Sequence, residues 1–118
     1  MFNGRDGEWR ARIDTIGKGW ASLQLTEQSL PQPVEPDIWL LFAPIKRGRV
    51  DFLVQKATEL GVSILLPTTT RRTVVERINL VRLGTTAAEA AEQCRRLSVP
   101  ELRPVQSLEK VLASWPEE

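Results

Sequence analysis

Two groups of residues in this 118-residue chain have the types and spacing for chemistry. The first is cationic: Lys46, Arg47 and Arg49 flank Gly48, and Arg71 and Arg72 follow as an adjacent pair. Guanidinium groups suit phosphate, because each can donate two parallel hydrogen bonds to it. The second is Glu92, Gln93 and Arg96, where Glu92 and Arg96 stand four residues apart and would meet on a helix as a surface ion pair. The chain has no histidine and one cysteine, Cys94. A zinc site, a histidine-based triad and an internal disulfide are therefore excluded within it.

The sequence contains no G-x-G-x-x-G, no Walker loop and no G-x-S-x-G elbow. Gly48 is the only glycine between basic residues, and its loop opens a helix, where backbone amides and the dipole favour an anion. A single glycine leaves both a phosphate contact and a solvated loop open. Charge is uneven along the chain. Residues 1–37 carry four basic and six acidic groups, residues 44–103 eleven and six, and residues 104–118 one and three. A centre at +5, built mostly from arginine, points to nucleic acid, although basic loops on ordinary enzymes look similar.

These residues hang on one βαβ unit. Ile38 to Ala43 and Ile64 to Leu66 are continuous apolar runs, the pattern of strands covered on both faces of a parallel sheet. Between them Val50, Leu53, Val54, Ala57 and Leu60 form a helical stripe, which Gly61 ends in the left-handed conformation. Phe52 falls off that stripe beside Lys56 and Glu59, as an exposed aromatic or as a contact for another domain or subunit. Thr68 to Thr73 is a polar segment holding Arg71 and Arg72, at the carboxyl edge of the sheet where ligands usually bind. Asn79 caps a second helix with a stripe of Leu80, Leu83, Ala87, Ala90, Ala91 and Cys94, running through Gly84 to about Arg96. Glu101 to Val105, between Pro100 and Pro104, is an edge or poor strand. Ser107 caps a last helix with Leu108, Val111, Leu112 and Trp115, ended by Pro116.

Upstream, Glu8 to Ile16 alternates, with Trp9, Ala11 and Ile13 on one face. Gly17-Lys18-Gly19 turns the chain, and Trp20 to Thr26 alternates with Ala21, Leu23 and Leu25 inward. Only Met1 and Phe2 are left to pair with that hairpin, so the chain is expected to begin inside a small β domain. Three prolines between Ser29 and Pro36 mark a linker. The division is residues 1–30, a linker at 31–37, and an α/β part at 38–118. No apolar run reaches the ~20 residues that span a bilayer, and the N-terminus has no apolar signal segment, so a cytoplasmic setting without membrane contact is expected.

Ile45 to Arg49, Gln55 to Val62, Arg71 to Val75 and Glu89 to Arg96 with Val99-Pro100-Glu101, together with Phe2-Asn3-Gly4, resemble the ribosomal RNA small subunit methyltransferase E family. The resemblance runs through essentially the whole chain, in order. It implies the end of a PUA-like β-barrel followed by the first half of a SPOUT-type parallel sheet with flanking helices. It also implies a dimeric enzyme of about twice this length that methylates N3 of a uridine in 16S ribosomal RNA with S-adenosyl-L-methionine. The family's glycine-rich cofactor loops have no counterpart before Glu118, so no cofactor-binding residue and no metal site is expected within this chain. Arg72, Glu92, Gln93 and Arg96 match polar family positions near the active face, and Lys46, Arg47, Arg49 and Arg71 join them as RNA-binding candidates. No catalytic base is identified. Arg95 departs from the family pattern, which usually has glycine there. The rival reading is a non-catalytic RNA-binding or assembly module that keeps only part of the fold.

Overall fold

The computed structural model describes residues 1–72 and 78–115. Alternating residues at the start form β1 (Glu8–Gly17) and β2 (Trp20–Leu30), an antiparallel pair closed by the Lys18-Gly19 turn. Met1 and Phe2 supply the only further pairing among the described residues: Phe2 bridges Glu8, and the Trp9 amide donates to the Met1 carbonyl at 2.8 Å. Three register shifts interrupt the strict alternation of the hairpin. The face expected to point inward is bare, with Ile13 58%, Leu23 43% and Leu25 52% exposed. Alternation placed these side chains on a common face, but no described element packs over them.

After residues 31–37 the apolar runs become β3 (Trp39–Phe42) and β4 (Ile64–Thr69). They pair in parallel, from Trp39 opposite Ile64 to Phe42 opposite Pro67. Between them lies α1 (Arg47–Leu60). β4 is longer than expected, and Thr68 and Thr69 belong to it rather than to a polar loop. Thr73, the end of that expected segment, lies outside the described residues, as does Pro116.

The helix α2 (Leu80–Gln93) starts where expected, with the Asn79 side chain accepting from the Arg82 amide at 3.0 Å, and passes unbroken through Gly84. The expected strand at 101–105 is reduced to β5 (Glu101–Leu102). β6 (Gln106–Ser107), which the sequence did not suggest, pairs further along β4. Together β5 and β6 act as one edge strand interrupted at Arg103-Pro104-Val105, because Pro104 has no amide for the ladder. Ser107 caps α3 (Leu108–Ala113), accepting from the Lys110 amide.

The two faces of the sheet are covered differently. Leu40, Phe42, Leu65 and Leu102 pack with Val50 and Val54 of α1 and Leu83 and Ala87 of α2, and Val54, Leu65, Leu83 and Ala87 are fully buried. Leu66 faces α3 on the other side, where Trp39 and Trp115 meet edge to face at 5.2 Å and the Arg103 guanidinium stacks 4.5 Å from the Trp39 centroid. Leu112 remains 60% exposed.

Two stripe residues do not go where periodicity put them. Leu60 is 81% exposed, because it lies at the rim of the arc; Thr58 takes the inward place, its hydroxyl donating to the Val54 carbonyl at 2.7 Å. Cys94 is exposed because α2 stops at Gln93 rather than near Arg96. Phe52 is 61% exposed under the Lys56 ammonium, which also pairs with Glu59 at 3.0 Å.

Gly61 has φ 92°, and a Cβ there would run into the Arg96 guanidinium. Gly61→Ala is therefore expected to cost at least about 1–2 kcal/mol. Gly48→Ala, inside α1 with open space around it, should instead gain a few tenths of a kcal/mol. Urea melts of the two variants, shifting in opposite directions, check both.

Candidate nucleic-acid interface

Because β3 and β4 run in the same direction, the segments that follow them leave the same edge of the sheet. One carries Lys46, with Arg47 and Arg49 in the first turn of α1; the other carries Arg71 and Arg72. Lys46, Arg49, Arg71 and Arg72 are exposed and make no ion pair among the described residues. Arg82, by contrast, is paired to Asp51 across α1 and α2.

The start of α1 adds to this charge. Lys46 is its N-cap residue and provides no side-chain acceptor, and the first turn holds no acidic residue. The free amides of that turn and the positive end of the helix dipole therefore stand beside the basic side chains without a counter-charge among the described residues. Such an edge attracts phosphate from several directions at once.

Glu92, Gln93 and Arg96 are not brought to this edge. Each helix returns the chain to the amino edge of the sheet, and fourteen residues carry it roughly 21 Å. Glu92 and Gln93 are exposed there. The expected Glu92–Arg96 pair does not form, because α2 ends at Gln93 and Arg95 turns the chain with φ 60°. The turn is closed by the Arg95 amide donating to Glu92 and the Arg96 amide donating to Ala91. This is the same closure that Gly61 and Val62 make at the end of α1.

Arg96 instead reaches Glu35 at 2.9 Å, with both side chains about three-quarters buried. Beside it the Gln32 amide donates to the Gly4 and Leu97 carbonyls and the Ser98 hydroxyl, while its oxygen accepts from the Gly7 amide at 2.9 Å. Gln32 and Glu35 thus tie residues 31–37 to the turn after α2, and the hairpin to both. Sequence reasoning missed both residues. Their partners lie 61 to 66 positions away, and the proline-rich composition around them reads as a spacer.

The RNA methyltransferase domain profile matches residues 32–118. The chain is 36% identical over 100 residues to the ribosomal RNA small subunit methyltransferase E of Rickettsia conorii, covering 85% of this chain and 41% of that protein. Its fold matches a probable rRNA-methyltransferase of Porphyromonas gingivalis with a TM-score of 0.83 at 23% identity, covering 98% of this chain and 49% of the other. It matches the ribosomal RNA small subunit methyltransferase E of Neisseria gonorrhoeae, solved bound to S-adenosyl methionine, with a TM-score of 0.79 at 25% identity, covering 98% and 51%. The chain thus spans about half the length of these proteins or less.

The two edges should respond differently to mutation. Glu35→Ala or Arg96→Ala is expected to cost about 1–2 kcal/mol, since each strands a largely buried charge. Arg71→Ala should stay within about 0.5 kcal/mol. A double-mutant cycle at Glu35 and Arg96 by urea unfolding should return a coupling near ~1 kcal/mol.

Proposed function

The chain belongs to the RNA methyltransferase domain family, and on that premise we propose that it is part of an enzyme that methylates N3 of a uridine in 16S ribosomal RNA with S-adenosyl-L-methionine. The observation that carries this reading is the basic edge formed by Lys46 and Arg49 at the start of α1 and by Arg71 and Arg72 after β4, which has no ion-pair partner among the described residues. In this reading the hairpin is the end of a PUA-like barrel, residues 31–37 join it to the methyltransferase domain at 38–118, and the enzyme works as a cytoplasmic homodimer. Among the described residues no helix is long and apolar enough to cross a membrane.

The residues on the basic edge do not fit the cofactor. S-adenosylmethionine carries a sulfonium, and the segments that leave β3 and β4 present cations and, at 43–46 and 70–72, no carboxylate. A Cβ on Gly48 would meet nothing within 4 Å, so the backbone makes no close cradle there. The cofactor pocket is accordingly assigned to the part of the relatives' length that this chain does not span. The contribution of these residues is to hold the RNA. Removal of the uracil N3 proton leaves an anion, and a guanidinium beside the flipped base stabilises it while its neighbours grip phosphate.

Binding of the chain to a ribosomal RNA fragment, titrated across salt concentrations, tests the reading. Arg71→Ala combined with Arg72→Ala should weaken binding and lower the log-log salt slope by about one unit per lost phosphate contact. Arg103→Ala is the control, because Arg103 is occupied by Glu101 and the Trp39 ring. An unchanged affinity and slope in a folded double variant would remove the basic edge from RNA binding.

Calorimetric titration of the same chain with S-adenosylmethionine should show no micromolar binding. Micromolar affinity would place the cofactor pocket within these residues after all.

A further inference from the structure

A second feature of the molecule is left unexplained by the basic edge. Between the foot of the hairpin and the end of α2 lies a crevice of about 440 Å³, floored by Leu30, Ala91 and Leu97 and flanked by Phe2, Glu92 and Arg95. Arg95 is the only described non-glycine residue with positive φ, at 60°. The equivalent position after α1 is Gly61, and glycine enters this conformation without a Cβ penalty. Arg95 is exposed and makes no ion pair among the described residues, so only the backbone hydrogen bonds that close the turn hold it in this conformation. A left-handed non-glycine residue beside a pocket motivates a functional hypothesis there.

Two neighbouring side chains already have partners. Arg96 is held by Glu35, and the Glu8 carboxylate accepts from the Ser29 hydroxyl at 2.9 Å. Besides Glu8, whose second carboxylate oxygen stays open among the described residues, the crevice presents the Glu92 carboxylate, the Arg95 guanidinium and the half-buried ring of Phe2. An unpaired nucleobase needs a stacking surface and partners for its edge. Guanine offers two adjacent donors, N1–H and N2–H, which match a carboxylate, beside the acceptors O6 and N7, which match a guanidinium. Uracil, cytosine and adenine each lack that pair of adjacent donors next to an acceptor.

We propose that this crevice binds an unpaired guanine of the RNA, with Glu92 and Arg95 reading its edge and Phe2 stacking on it. The inference rests on the RNA-binding reading above and deepens it: it adds a base-reading contact at the edge of the sheet opposite the phosphate-binding one.

Fluorescence anisotropy with labelled single-stranded RNAs UUGUU, UUAUU, UUCUU and UUUUU tests it on the chain itself. UUGUU should bind roughly tenfold or more tighter than the others. Glu92→Gln and Arg95→Gly should each abolish that preference. Arg95→Gly should at the same time raise the melting temperature by a few degrees, which a merely structural arginine at this turn would do without any change in RNA preference. Arg71→Ala with Arg72→Ala should weaken all four oligonucleotides alike and keep the preference. Equal affinity for the four sequences, or a preference that survives Arg95→Gly, overturns the guanine site while leaving the basic edge standing. No binding of any of the four to the wild-type chain overturns both.

Discussion

The parallel pairing of β3 with β4 is the constraint from which the rest follows. Parallel neighbours cannot be joined by a tight turn, so a helix must carry the chain back, and α1 does so over the buried face of Leu65. The same direction of travel sends every strand-to-helix segment to one edge and every helix-to-strand turn to the other. The first edge gathers Lys46, Arg49, Arg71 and Arg72; the second gathers Gly61, Arg95 and Arg96. Arg71 and Arg72 are thereby separated from Glu92, Gln93 and Arg96 by the length of a helix.

The amino edge is where the chain is tied together. Two features favour glycine at position 61, its left-handed φ and the guanidinium of Arg96 in the space a Cβ would take. Arg96 in turn holds Glu35, and Gln32 bridges Gly4 and Gly7 to Leu97 and Ser98. A two-stranded hairpin with a bare apolar face has little stability of its own. Its placement against the α/β part therefore depends on this small polar joint. Such joints hold orientation well, because each hydrogen bond has a fixed direction, whereas apolar contacts tolerate sliding.

What the sequence revealed and what it hid divide along the reach of the rules involved. Asn79, Ser107 and Gly61 were readable because capping is decided within three or four residues. The run at Ile64 to Leu66 was readable because burial on both faces demands unbroken apolar sequence; the run at Ile38 to Ala43 gave a strand only at Trp39–Phe42, where Phe42 alone is buried and Ile38 beside it stays half exposed. Leu60 was misplaced since a five-residue stripe leaves the arc's centre uncertain, and the polar Thr58 could take the inward place by bonding its own helix. The Glu92–Arg96 pairing failed for a different reason: helix spacing was extended past Gln93, where Arg95 had already left the helix. Contacts such as Glu35 with Arg96 and Gln32 with Ser98 depend on tertiary proximity alone, and nothing local announces them. The alternation in the hairpin said which side chains share a face, and could not say whether anything covers it.

The charge at the carboxyl edge gains meaning from how the chain treats its other helices. α2 and α3 begin with Asn79 and Ser107, side chains that accept from the first-turn amides, each contribution typically about 1 kcal/mol. α1 has Lys46 in that place, with Arg47 and Arg49 following and no acidic residue in the turn. A helix that only had to be stable would not begin this way, since the cations oppose the dipole and one another. The sequence therefore caps two helices with side chains and gives the third no side-chain cap. An anion would satisfy the free amides and neutralise the basic side chains at once. With Arg71 and Arg72 brought to the same edge by the parallel strands, the arrangement suits a polyanion, whose successive phosphates can meet several of these groups together.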